Sequence, residues 1–353
     1  MKKMRKLKAI TAVLLTAFAT ASPCVWSMDD DDNLEMPEVF RLPRPGTVPK
    51  RQAETPPAVT NESESDDANL LTLNAARDFM VSLINKDRQS QNLPPVVLDE
   101  IASRAGQGHT DEMVVNGYHG HWGLDGKKPN QRYTEGGGRD YVAENAYFFG
   151  FSDRGDYKLE EEPRFAKAVL AHAEEEFMDE KPPMDGHRKN ILNPTHNRVG
   201  ICLSRANLTG QEYRVAMTEE FVDHYAEMQE MAPAAAPGAT VHVAGKTAPG
   251  FAFYNITLYQ EPLPKPMTVE EVNKTYSYDF PEKVDLFWPP MYGRQSVINI
   301  TRTQQGDEFS ADIPLPRDVG KGVLYSVGVW LTPMAQKAPM LVSMRTVEVR
   351  KQH

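Results

Sequence analysis

The chain has 353 residues, of which 40% are apolar, and a formal net charge of −10. This length exceeds the usual size of one core and predicts two folded units with irregular ends. The acidic balance gives no cationic footprint, which argues against nucleic acid as the main partner.

The opening "MKKMRKLKAITAVLLTAFATASPCVWS" sets five cations ahead of an apolar run from Ala9 to Ala21. That order predicts a secretory signal over residues 1–27. Its apolar core is too short to span a bilayer, and no later stretch reaches that length. The expectation is an exported protein, extracellular or periplasmic, with no transmembrane segment after signal cleavage. Ala19 and Ala21 fit a cut after Ala21, while a cut after Ser27 would remove Cys24. Pro23 directly before Cys24 fits lipid attachment poorly. Cys24 and Cys202 are the two cysteines, so there is at most one disulfide.

Residues 28–67 are rich in Asp, Glu, Pro and Ser with few apolar anchors, which predicts a disordered acidic linker. A second break, "EMQEMAPAAAPGAT", separates a first stretch at 68–228 from a second at 238–353. In the first, Leu73, Ala76, Met80 and Leu83 recur at helical steps, as do Ile101, Ala105, His109 and Met113 before Gly117. His109 therefore reads as a core-edge histidine. The Gly-dense run through "GHWGLDGKKPNQRYTEGGGRDYVAENAYFF" reads as a long ordered loop of the kind that often carries function. "EPRFAKAVLAHAEEEFMDE" predicts a third helix, "HRKNIL" a short one ended by Asn193-Pro194, and "NRVGICLSRA" with "YRVAMTEEFVDHY" an antiparallel strand pair. Helices around an antiparallel sheet make an α+β domain.

The second stretch carries about seven short alternating segments between Pro and Gly, from "TVHVAG" to "LVSMRTVEVR". This pattern predicts an all-β sandwich of immunoglobulin or fibronectin type with an accessory role. Deleting 238–353 is expected to leave the first domain folded. Tyr254, Trp288 and Trp330 read as core aromatics of this unit.

Four residues of the first stretch have chemistry suited to one site: His121, Glu144, Glu180 and His187. Neutral imidazoles bind divalent metals, and a carboxylate orients a ligated water or accepts its proton. Their spacing alone does not establish a shared site. There is neither an H-E-x-x-H nor a zinc-spaced cysteine pair.

In order along the chain stand "LINKDRQSQNLPPVVLD", "AGQGHTDEMVVNGYHGHWGLDGKKPNQRY", "VAENAY", "GHRKNILNPTHNRVGIC" and "YRVAMTEEFV". With these segments, residues 70–225 resemble a bacterial-type member of the CAP superfamily, named for cysteine-rich secretory proteins, antigen 5 and pathogenesis-related 1. The resemblance implies an α-β-α sandwich whose cleft is lined by two His and two Glu, with zinc or another divalent cation bound in some members. It maps the metal-binding histidines to His121 and His187 and the acids to Glu144 and Glu180. Glu180 departs from the family pattern in following Phe177 where a Trp is expected, and Glu174, Glu175 and Glu176 compete for its role. His119, His172, His196 and His224 match no family role and read as surface or core-edge residues, and Cys202 as a core thiol. Asn145 and Asn190 read as side chains that tie loops to backbone groups.

Two functions follow as expectations. One is binding of a lipid, peptide, cell-wall fragment or protein ligand, with or without a divalent cation. The other is metal-assisted hydrolysis, peptidase-like, with Glu144 as general base.

Overall fold

A computed structural model describes residues 69–351, except 151–154, 209–211, 276, 291–295, 305 and 336–337. The expected signal, the acidic linker and Cys24 lie outside the described residues. No described helix is long and apolar enough to cross a membrane.

The first unit is three-layered. Helix α1 runs over Leu73–Ser90 and starts where the Thr72 hydroxyl accepts from the Ala75 N–H. After the short strand β1 (Val97–Leu98), α2 spans Glu100–Asn116, capped by the Asp99 side chain and stopped by Gly117 at φ 71°. Then come α3 (Pro129–Glu135), β2 (Tyr141–Phe149), α4 (Lys167–Asp179), α5 (Gly186–Ile191), β3 (Arg198–Asn207) and β4 (Tyr213–Asp223). Sheet order is β1-β3-β4-β2; β1 lies parallel to β3, and the other two pairings are antiparallel.

Strand alternation explains the layers. Val199, Ile201, Leu203, Val215, Met217 and Phe221 share a core with Ala76, Met80 and Ile84 of α1 and Leu170, Ala173 and Phe177 of α4. Their neighbours Gly200, Cys202, Thr218 and Glu220 face α2. That helix lies close to the sheet because Gly106 has no side chain; a Cβ there would sit 2.5 Å from Cys202 Sγ and 2.6 Å from Glu220 Oε1.

Two expectations for this unit need correction. The buried stripe of α2 is Ala102, Gly106, His109, Thr110 and Met113, whereas Ile101 is 39% exposed, because close approach to the sheet favours the small residues. The Gly-dense region also holds α3, with Pro129 at its first turn, and the whole of β2. β2 is buried on both faces over nearly its entire length, so it lacks the alternation that betrays a strand.

The second unit is built from β5 (Ala226–Met228), β6 (Ala234–Ala235), β7 (Thr240–Thr247), β8 (Phe251–Pro262), α6 (Val269–Val272), β9 (Glu282–Phe287), β10 (Ile300–Arg302), β11 (Glu308–Pro314), β12 (Val323–Pro333) and β13 (Met340–Val349). One sheet is ordered β10-β11-β7-β5 and the other β9-β8-β12-β13-β6. They close on one core that includes Val241, Val243, Phe309 and Ile313 from the first and Ile256, Leu258, Val327 and Val329 from the second. Tyr254, Trp288 and Trp330 are half-buried rather than core. Phe253, Ile256 and Leu258 of β8 occupy the interior, while Tyr254 and Trp288 meet edge to face at 4.9 Å.

The two units touch closely. Ser343 donates to Arg139 O, and the Thr346 N–H donates to the Thr134 hydroxyl at 3.2 Å. Tyr141 and Ala143 of β2 pack with Tyr278, Phe280 and Met344. β5, at the end of the first stretch, pairs with β7 in the second unit's sheet.

Candidate functional site

The site lies along the outer edge of β2, the last strand of its sheet. An edge strand leaves backbone carbonyls unpaired, and side chains satisfy them here. His119 Nε2 donates to Ala146 O at 3.0 Å, and Asn190 Nδ2 donates to Glu144 O at 3.4 Å. Asn145 Nδ2 donates to His187 O at 3.2 Å and to Glu219 Oε2 at 3.0 Å, and its own oxygen accepts from Asn190 at 2.9 Å. Asn145 and Asn190 thus bond to backbone groups, as expected, but they tie strand to helix where loops were expected. His119 is buried, so of its two readings, surface or core-edge, the surface one does not hold.

Alternation along β2 sends Glu144 toward α3 and Asn145 toward α5. Glu144, fully buried, accepts from His121 Nδ1 at 2.7 Å on one oxygen and from Arg132 Nη2 at 2.6 Å on the other. Arg132 also donates from Nη1 to His121 O at 2.8 Å, so one guanidinium fixes both members of the pair. Across the strand junction, His187 Nδ1 lies 2.8 Å from Glu180 Oε1, and the His187 backbone N–H donates to Glu180 Oε2 at 2.9 Å. Phe177 packs on the His187 ring at 4.4 Å. Of the competing acids, Glu174 faces Glu219, and Glu175 is exposed.

Burial holds His121 well below the ordinary imidazole range, with His187 and Arg132 adding to the effect, so its ring is neutral. With Nδ1–H given to Glu144, its Nε2 carries a lone pair. That Nε2 and His187 Nε2 are both buried without a hydrogen-bond partner. Burial likewise pushes His119 down to about 4. Beneath Glu144, Glu220 is held well above the ordinary carboxyl range by burial and then by the Glu144 charge, and it keeps its proton. On the other face, burial and Glu219 do the same to Glu174.

Two arginines escaped the reading of the sequence. Arg132 is one. Arg88, fully buried near the end of α1, donates to Pro94 O, Ile191 O, Asn193 O and His196 O at 2.8–2.9 Å. It fixes the chain leaving α5, at roughly 1.5–3 kcal/mol per charged hydrogen bond. Its place on the i, i+4 series Ala76, Met80, Ile84, Arg88 was the available signal. His196 is also buried, bonded to Asp223 at 2.7 Å, and His109 bonds Gly120 O at 2.8 Å. Cys202 is a buried free thiol that donates to Ser103 O.

These features define a three-layered α-β-α domain with two carboxylate-anchored imidazoles at its sheet edge. Residues 81–217 match the sequence model of the CAP, or cysteine-rich secretory protein, family, so the first unit is CAP/SCP-like. The uncharacterized protein YkwD of Bacillus subtilis (strain 168) is 28% identical over 149 residues, 42% of this chain and 50% of that protein. This chain thus spans about half the length of that relative. An extracellular SCP-domain protein from Bacillus anthracis str. Ames, solved at 1.5 Å, is 21% identical over 42% of this chain and 40% of its own, with a TM-score of 0.30.

Proposed function

We propose that the protein is exported and works by binding, with the edge of β2 as its ligand site. The observation that carries this reading is the pair of buried, unpartnered Nε2 atoms on His121 and His187, each ring anchored through Nδ1 to a buried carboxylate. Such atoms suit a divalent cation, or the N–H or O–H donor of a lipid headgroup, peptide or cell-wall fragment. The signal-like N-terminus supports export. The second unit, read as an immunoglobulin- or fibronectin-type sandwich, serves as an accessory wall.

The chain's own residues fit a cation in part. Among the described residues, no three His, Cys, Asp or Glu side chains converge so as to hold a metal ion. His121 and His187 would supply two nitrogens, short of the three protein ligands of a catalytic zinc. A cation held there would add positive charge for polarising a ligand oxygen. Hydrolysis with Glu144 as base is the less favoured reading, because both of its oxygens are engaged, by His121 and by Arg132. The carboxylates orient the rings instead of facing a reactant.

The test is a cobalt titration of the full chain, followed by absorbance, beside a His121→Ala, His187→Ala double variant. Binding is expected in the parent and lost in the variant, with circular dichroism unchanged. Equal binding by both would remove the two-imidazole site.

A further inference from the structure

The connection between β8 and β9, residues 263–281, carries the short helix α6. Its described residues, 263–275 and 277–281, leave the second unit and run over the first. The Met267 N–H donates to Leu124 O at 2.8 Å, Asn273 Oδ1 accepts from the His119 N–H at 3.1 Å, and Ser277 O accepts from Trp122 Nε1 at 3.3 Å. Val272 is fully buried in a cluster with Met113, Val114 and Tyr118. The connection is therefore bonded to the segment that carries His119 and His121.

Its end places Tyr278 on the site. The Tyr278 ring meets the His121 ring edge to face, with centroids 5.3 Å apart. Tyr278 also lines a surface pocket with Lys128, Asn130, Tyr141, Phe280 and Met344. His121 itself has no exposure, while Tyr278 reaches solvent in part. A single aromatic ring thus touches both the imidazole and the pocket. Lys128 lines the same pocket, its ammonium 5.8 Å from the Tyr278 centroid and 5.4 Å from that of Trp122, while pairing with Glu261 of β8.

We propose that Tyr278, contributed by the second unit, is the gate and specificity-determining wall of the His121–His187 site. The proposal rests on the binding reading above. A group reaching His121 Nε2 from the pocket must take the place of the ring. The site therefore selects ligands that present a flat apolar or aromatic face beside a cation or hydrogen-bond donor. The second unit becomes part of the site and not only a tether.

The experiment labels the full chain with diethyl pyrocarbonate, which acylates accessible neutral imidazoles, and follows each histidine by peptide mass spectrometry. Parent, Tyr278→Ala, Tyr278→Leu and Tyr278→Phe are compared. His121 should react about tenfold faster in Tyr278→Ala, at an intermediate rate in Tyr278→Leu, and near the parent rate in Tyr278→Phe. His109, buried and bonded to Gly120, should stay protected and report intact folding. Should His109 also open in Tyr278→Ala, Tyr278→Leu decides. An unchanged His121 rate in the Ala and Leu variants overturns the gate, as does a parent rate equal to that of exposed His242. The labelling needs no ligand. Failure of cobalt binding would remove the two-imidazole reading without touching this result, and a closed His121 in the variants would remove the gate without touching cobalt binding.

Discussion

Glu180 holds His187 twice, by its ring Nδ1 at 2.8 Å and by its backbone N–H at 2.9 Å. The carboxylate fixes the imidazole and the start of α5 together, and both of its oxygens are spent in doing so. Glu180→Ala should free the ring and lower cobalt affinity about 10–100-fold, the usual cost of losing a carboxylate behind a ligating histidine. Glu180→Gln keeps one acceptor and should fall between. Titration of the three proteins side by side checks the order; equal affinities would mean that Glu180 does not orient the site.

Glu174 leads to a prediction about pH. Burial, then the Glu219 charge, raises its folded value well above the unfolded one, so the folded chain binds the extra proton. The stability this contributes is fully present below the ordinary Glu value of 4.5 and is lost as pH rises through the raised folded value. Glu174→Gln is neutral throughout and still donates to Glu219. Its urea midpoint should match the parent at acid pH and exceed it progressively toward neutral pH, by about 1–3 kcal/mol of relieved burial cost. Parallel stability curves for the two proteins would refute the shared-proton arrangement.

The sequence made α1, α2 and α4 legible because each has one dry face and one wet face, and periodicity records that contrast. β2 was hidden because its two faces are both covered, and α3 because it is a single short segment among glycines. His121 and His187 were legible through their local flanks. Arg88 and Arg132 were not, since a buried arginine looks like any surface arginine until the carbonyls it serves are placed by the fold. Tyr278 was the least visible of all: its contact with His121 joins residues of different units, and contacts across such separations leave no local pattern.

Two glycines of α2 should respond with opposite signs. At Gly106 an added Cβ would meet Cys202 Sγ at 2.5 Å and Thr218 Oγ1 at 3.1 Å, both on the sheet. Gly106→Ala should therefore cost about 1–3 kcal/mol by overpacking. At Gly108 nothing lies within 4 Å, and the position is exposed. Gly108→Ala should add roughly 0.5–1 kcal/mol through helix propensity alone. Denaturant midpoints at constant slope measure both. A neutral Gly106→Ala would show that α2 can lift from the sheet.

The Lys128–Glu261 pair links the two units from inside, with side-chain exposures of 10% and 11%. Lys128 also lies over Trp122 and Tyr278, so its ammonium has carboxylate and aromatic partners but little water. Lys128→Met would leave Glu261 a buried charge without its counterion, which should cost about 3 kcal/mol. The double change Lys128→Met, Glu261→Leu should cost less than the sum of its parts, because neither charge remains. As the pair is largely shielded from solvent, the shift should persist at high salt. Lys274–Glu270, exposed at 70% and 79%, is the control, and its small contribution should vanish in salt. Urea midpoints at low and high salt decide the matter. An additive double variant would mean that the units are joined by their apolar contacts and that the ion pair is incidental to the junction.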